Sequence, residues 1–194
     1  MAEAARRDDW PRTVEEFERW HVRQPERWEF IDGRPRLMAP ASLDHTIIKG
    51  NVYRLFAEAL RDRGCTALVD GAQILTEDIS AIPDVVVTCS PLDHSTPVIG
   101  EPTIIVEVMS PASEADDTQR KWLAYRWIPS LRHYIVVLQE WREVLLRSRA
   151  GDVWQEGSAT SGSLTLDDPP VTLALEAVYA GTDVPQGRSR REWA

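Results

Sequence analysis

The sequence predicts an α/β protein. Stretches with apolar residues at helical spacing alternate with short β-branched runs bounded by Gly, Pro and Asp, and two of those runs carry a carboxylate of their own. The hydrophobic share is 43% and the charged share 27%, a soluble and globular balance, and 194 residues suffice for one domain with a core of ordinary size.

Residues 1–12 are charged without an apolar period and read as a loose lead-in. The domain is expected over 13–180, followed by a polar tail over 181–194. Thr13 to His21 reads as a short helix, with Thr13 and Glu16 spaced as a capping box. Trp28 to Ile31 and Arg34 to Met38, joined by Asp32-Gly33, carry a strong hairpin signal. Ser42 can cap a longer helix whose Ile48, Val52, Leu55, Phe56, Ala59 and Leu60 recur at helical spacing, with Gly64 where a C-terminal cap is expected. Short strands follow near Thr66–Val69 and Gln73–Leu75, then the acid-bearing runs Ile82–Val87 and Thr103–Met109. Ser113 or Asp116 starts another helix, which Pro129 helps to end. Arg132–Leu138 and Trp141–Arg147 read as the last long strands. Gly151 to Gly162 reads as a loop with one short strand, and Leu173 to Tyr179 as a closing helical turn.

Several function classes lose support from composition. No apolar run reaches the length of a signal peptide or a membrane span, so the cytoplasm is expected. Cys65 and Cys89 lack metal-ligand spacing and read as two buried, reduced thiols. A net charge of −9 argues against a broad basic footprint for nucleic acid, although a groove can be basic locally. Of the 22 basic residues only Lys49 and Lys121 are lysine, which suggests positions where arginine will not serve.

The chemistry concentrates between Ile82 and Lys121. Asp84 heads one β-run and Glu107 lies inside the next, 23 residues later, enough for strand, loop and return strand. Carboxylates inside apolar strands are costly unless paired. On paired strands about 4.8 Å apart both side chains can reach one site, and hard oxygen donors suit magnesium, with manganese as a substitute. Lys121 follows on a helix, with Asp117 four residues before it and Tyr125 four after. Tyr125 and Ile128 share its face and Trp122 and Trp127 surround it, a setting in which lysine could offset charge on a phosphorus centre. The bland alternative is a surface pair with Asp117.

Trp28-Glu29-Phe30-Ile31-Asp32-Gly33, Pro83-Asp84-Val85-Val86-Val87, Val106-Glu107-Val108-Met109-Ser110-Pro111 and Lys121-Trp122-Leu123-Ala124-Tyr125 occur in that order, followed by Ile128-Pro129-Ser130-Leu131-Arg132-His133-Tyr134. Together they resemble the Uma-type family of bacterial proteins described as restriction endonucleases, within the PD-(D/E)XK nuclease superfamily. The resemblance spans about Thr13 to Tyr179. It implies a restriction-endonuclease-like core with a mixed central sheet flanked by helices, a magnesium site at Asp84 and Glu107, and DNA as substrate. The superfamily's lysine would fall at Met109, so Lys121 is its implied substitute. Glu29 matches an acidic position on an early element, where an exposed hairpin carboxylate is the competing reading. His45, near the helix start, and Lys49, one turn on, could face a phosphate, although a solvated helix face is expected for Lys49.

Three readings compete: a metal-dependent endonuclease, an interaction module on a nuclease fold that has lost activity, and a glycosidase using Asp84 and Glu107 as its carboxylate pair, which leaves Lys121 without a role. The first ranks highest. Cutting both strands would call for two sites and hence a homodimer. His21, His94 and His133 read as structural, and Arg34, Arg36, Arg54 and Arg61 are uncommitted candidates for phosphate contact.

Overall fold

The structure, a computed structural model, describes residues 10–38, 40–109 and 115–187, with backbone alone at 115–117. The capping signals open both long N-terminal elements. Helix α1 (Val14–His21) starts on Thr13, whose hydroxyl accepts from Glu16 N–H, while the Glu16 carboxylate reaches back to Arg12 N–H rather than to the cap residue itself. Strands β1 (Trp28–Ile31) and β2 (Arg34–Leu37) turn at Asp32-Gly33, both with positive φ as a primed hairpin turn requires. Helix α2 (Leu43–Ala59) is capped by Ser42 and buries Ile48, Val52 and Phe56. It ends five residues before Gly64: Asp62 takes the first left-handed conformation, and Gly64 serves the turn into β3 (Thr66–Val69).

Strands β4 (Ile74–Leu75) and β5 (Ile79–Ala81) precede β6 (Val85–Thr88) and β7 (Ile104–Met109). Strand β5 has no counterpart in the sequence reading, and Asp84 stands just ahead of β6 rather than within a run beginning at Ile82. Helix α3 (Ala115–Tyr125) leads to β8 (His133–Leu138), β9 (Val144–Ala150) and β10 (Val153–Ala159). The proposed start at Ser113, and Ser110-Pro111 of the quoted motif, lie outside the described residues, as do residues 1–9 of the lead-in and 188–194 of the tail. Strands β11 (Ser163–Asp167) and β12 (Pro170–Ala174) form a further hairpin before α4 (Leu175–Val178).

A six-stranded mixed sheet in the order β10-β9-β8-β7-β6-β3 forms the centre, parallel only between β7 and β8. The pattern explains why β6, β7 and β8 are nearly continuous apolar runs: both faces are covered. Val85, Val87 and Val106 pack with α2, whereas Val86, Ile105 and Tyr134 pack with Trp122 and Tyr125 of α3. A second sheet, β2-β1-β5-β4, supports α1 through Phe17 and Phe30.

Cys65 and Cys89 are neither reduced nor deeply buried: they form a disulfide with Cα atoms 3.9 Å apart, Cys65 half-buried and Cys89 exposed. The cause is register. Thr66 pairs with Thr88, so the next positions outward face each other across the same two strands. Trp127 also departs from expectation, lying 74% exposed instead of shielding Lys121.

Candidate active site

Sheet register assembles the site. Val85 pairs with Val106 across β6 and β7, so continuing the ladder by one residue sets Asp84 opposite Glu107. Val69 pairs with Val85 across β3 and β6, and the same step sets Asp70 opposite Asp84, where Asp70 N–H reaches the Asp84 carbonyl at 3.5 Å. Three carboxylates therefore stand in one row across three strands. They line a cleft of about 480 Å3 together with Arg27, Glu29, Arg36, His45, Lys49 and Lys121. Four of these residues are cationic and four are carboxylates, so the cleft escapes the acidity of the chain as a whole.

On the α3 side the acid is sealed in. Lys121 Nζ lies 3.0 Å from Glu29 Oε1 and 3.2 Å from Glu107 Oε1, and donates to Glu107 Oε2 at 3.3 Å. All three side chains are close to nine-tenths buried, so the solvated position expected for Lys121 and the exposed one for Glu29 are both replaced by one enclosed bridge, while the Asp117 side chain lies outside the described residues. The reason lies in the hairpin: Trp28 and Phe30 face α1, which turns Glu29 to the opposite side of β1, where it also accepts the Ile82 N–H at 2.9 Å. Burial pushes the Glu107 carboxyl up to about 8, against the pull of Lys121 and with the push of Glu29 and Asp84. Burial alone would lower Lys121, but the two glutamates outweigh it and hold the ammonium above its ordinary range. Lys121 is thus a fixed positive charge.

On the α2 side the acid is kept ionised. Burial opposes the charge on Asp84, but the His45 hydrogen bond and charge, the Val108 N–H and Lys49 together bring its carboxyl below the usual range. His45 Nε2 lies 2.8 Å from Asp84 Oδ1, and Val108 N–H donates to Oδ2 at 2.7 Å. Ser42 places His45 by capping α2 on its backbone N–H. One turn on, Lys49 Nζ sits 3.0 Å from Asp70 Oδ1 and 3.8 Å from Asp84 Oδ1, only 12% exposed, so it is no plain solvated helix face. Both lysines of the chain bridge pairs of carboxylates in this one cleft.

The donor set suits magnesium, which takes one or two protein carboxylates and keeps several waters. Among the described residues no group of three or more His, Cys, Asp or Glu is placed to hold a metal ion. Two carboxylates suffice, however, and Glu107 Oε1 is a buried oxygen that accepts no hydrogen bond, Nζ of Lys121 lying near it without the alignment of one. Asp84 retains a second lone pair on each oxygen. Met109, where the resemblance would put lysine, lines the cleft without charge.

Asp70 went unnoticed in the sequence, since an Asp-Gly pair reads first as a turn. The remaining histidines are elsewhere: His21 lies 3.5 Å from Glu18, and His133 sits between Ser148 and Asp167, at 2.9 and 3.3 Å. Of the uncommitted arginines, Arg36 lines the cleft and Arg54 pairs with Glu58.

The model of the Uma2 family, described as "Putative restriction endonuclease", matches residues 14–180. An uncharacterized protein of Synechocystis is 32% identical over 172 residues, covering 86% of this chain and 90% of that protein. A second uncharacterized protein of Synechocystis is 28% identical over 145 residues, covering 72% and 82%. The crystal structure of a protein from Anabaena variabilis, described as "a putative nuclease belonging to DUF820", superposes with a TM-score of 0.72 at 14% identity, over 88% of this chain and 98% of that one. That likeness extends the mixed α/β core to a solved nuclease-like fold.

Proposed function

From the premise that the chain belongs to the Uma2 family, we propose that it is a metal-dependent endonuclease that hydrolyses DNA phosphodiester bonds. The observation that carries the reading is the convergence of Asp84, Glu107 and Lys121 on one cleft. Asp84 and Glu107 would hold magnesium or manganese, which when bound supplies Lewis-acid polarisation of the phosphoryl oxygen and an acidified water.

The chain's own residues do the rest. Lys121, held protonated by Glu29 and Glu107, cannot take a proton from water at neutral pH; it donates hydrogen bonds and positive charge to the phosphoryl oxygens as negative charge builds there. Glu29 is a positioning residue, fixing Nζ while accepting the Ile82 N–H that anchors the approach to Asp84. His45 positions the Asp84 carboxylate and keeps it ionised. A glycosidase using Asp84 and Glu107 has no use for an ammonium fixed against Glu107, and the arrangement does not favour it.

The test is nicking of supercoiled plasmid with magnesium or manganese. Asp84→Ala and Glu107→Ala should each lower the rate on the order of 10³-fold, the scale of losing electrostatic stabilisation at a reacting centre. Nicking that survives both substitutions would end the proposal.

A further inference from the structure

The two lysine bridges differ in one leg. Lys121 is enclosed between two buried glutamates, whereas Lys49 has one buried partner, Asp84, and one that is 53% exposed, Asp70. Asp70 sits in a turn beyond the end of β3: its φ is 50°, a left-handed conformation that aspartate tolerates better than most residues, and Gly71 follows with φ 107°. Its carboxylate Oδ1 sits between two cations at the cleft mouth, Lys49 Nζ at 3.0 Å and Arg27 at 3.9 Å. One anionic oxygen between an ammonium and a guanidinium, next in the row to Asp84, is the surrounding a phosphate oxygen needs.

We propose that Lys49 and Arg27 form a subsite for a non-scissile phosphate of the substrate strand, and that Asp70 occupies it as an internal surrogate until that phosphate displaces it. The proposal rests on the nuclease reading for the identity of the strand. The exchange is local. Asp70 swings outward into solvent it already half meets, and Lys49 keeps its second partner in Asp84 throughout, so no buried charge is left bare. The subsite would explain how a chain of net charge −9 admits a polyanion: it presents a paired cation whose partner is expendable.

The test is fluorescence anisotropy of a labelled DNA duplex with the whole chain in chelator, where cleavage does not intervene. Asp70→Asn should tighten binding several-fold, and Lys49→Ala should weaken it by roughly tenfold and reduce the slope of log affinity against log salt by about 0.9, one phosphate contact. On the Lys49→Ala background, Asp70→Asn should tighten binding distinctly less, because only Arg27 of the two cations is left to free. Equal tightening with or without Lys49 would mean that Asp70 acts only through net charge, and would overturn the subsite. Should the wild-type chain bind no DNA, the nuclease reading fails first. The subsite is then read with inorganic tripolyphosphate, by its protection against thermal unfolding. Protection that grows in Asp70→Asn and vanishes in Lys49→Ala upholds it, and absence of protection in Asp70→Asn overturns it.

Discussion

Asp84 and Glu107 face each other across two paired strands, yet their surroundings drive their protons in opposite directions. Asp84, ahead of β6, meets His45 and Lys49 from α2 and a backbone N–H from β7, and its carboxyl falls below the usual range. Glu107, inside β7, lies under α3 against Tyr125 with Glu29 nearby, and its carboxyl rises to about 8 in spite of Lys121. Divergent titration of neighbouring carboxyls is what acid–base and metal chemistry at neutral pH calls for. The difference comes from the supporting elements and not from the acids: the first two turns of α2, bearing His45 and Lys49, on one side, and a buried aromatic helix on the other.

The largest effect that separates the two halves should come from removing each lysine. Lys121→Met leaves Glu29 and Glu107 buried together without a cation, and should cost about 3–5 kcal/mol in a denaturant melt above pH 8, the scale for breaking an enclosed ion pair. Lys49→Met, with one exposed partner, should cost under about 1 kcal/mol. Equal losses would mean that the two bridges are energetically alike and the contrast false.

Next in size is a pH effect. The folded Glu107 carboxyl titrates at about 8 against 4.5 for its ordinary value, so the folded state holds a proton that the unfolded state has lost. The native state is therefore penalised progressively as pH rises from 4.5 towards 8, and beyond that the penalty is constant. His133, whose imidazole burial keeps below its ordinary range, acts in the opposite sense near neutrality, so the informative quantity is a difference. The Tm of Glu107→Gln minus that of the wild type, without metal, should grow between pH 5 and pH 8. A flat difference would mean that the Glu107 carboxyl is not raised in the folded state.

The smallest effect sharpens the α2 side. His45→Ala removes the leading lowering influence on Asp84, so the Asp84 carboxyl, followed by NMR, should titrate higher than in the wild type. In Lys49→Ala the rise should be smaller, since the Nζ distance is 3.8 Å against 2.8 Å for His45. A larger rise in Lys49→Ala would reverse the ranking of the two supports.

Much of this was legible in residues. The Asp32-Gly33 turn, the Thr13 and Ser42 caps and the unbroken apolar runs of β6 to β8 gave the α/β architecture its elements, and the ordered motifs gave their assembly. The hairpin of β9 and β10 also had its signal, Gly151-Asp152 between two runs, as did β11 and β12 in the alternation of Leu164, Leu166, Val171 and Leu173. Both were overshadowed by the polar residues around them. The disulfide and Asp70 were hidden for a different reason: each depends on the exact register of β3 against β6, a long-range pairing that periodicity within either strand does not encode. Lys49 looked solvated because helical spacing reports the face a residue shares and not which strand end that face covers.

The proposed chemistry depends on Asp84 and Glu107 together holding a divalent cation. Calorimetric titration of manganese into the metal-free chain addresses it most directly. A single saturable site is expected in the wild type, lost in Asp84→Ala and in Glu107→Ala alike and kept in Lys49→Met. Undiminished manganese binding in both alanine variants would contradict it.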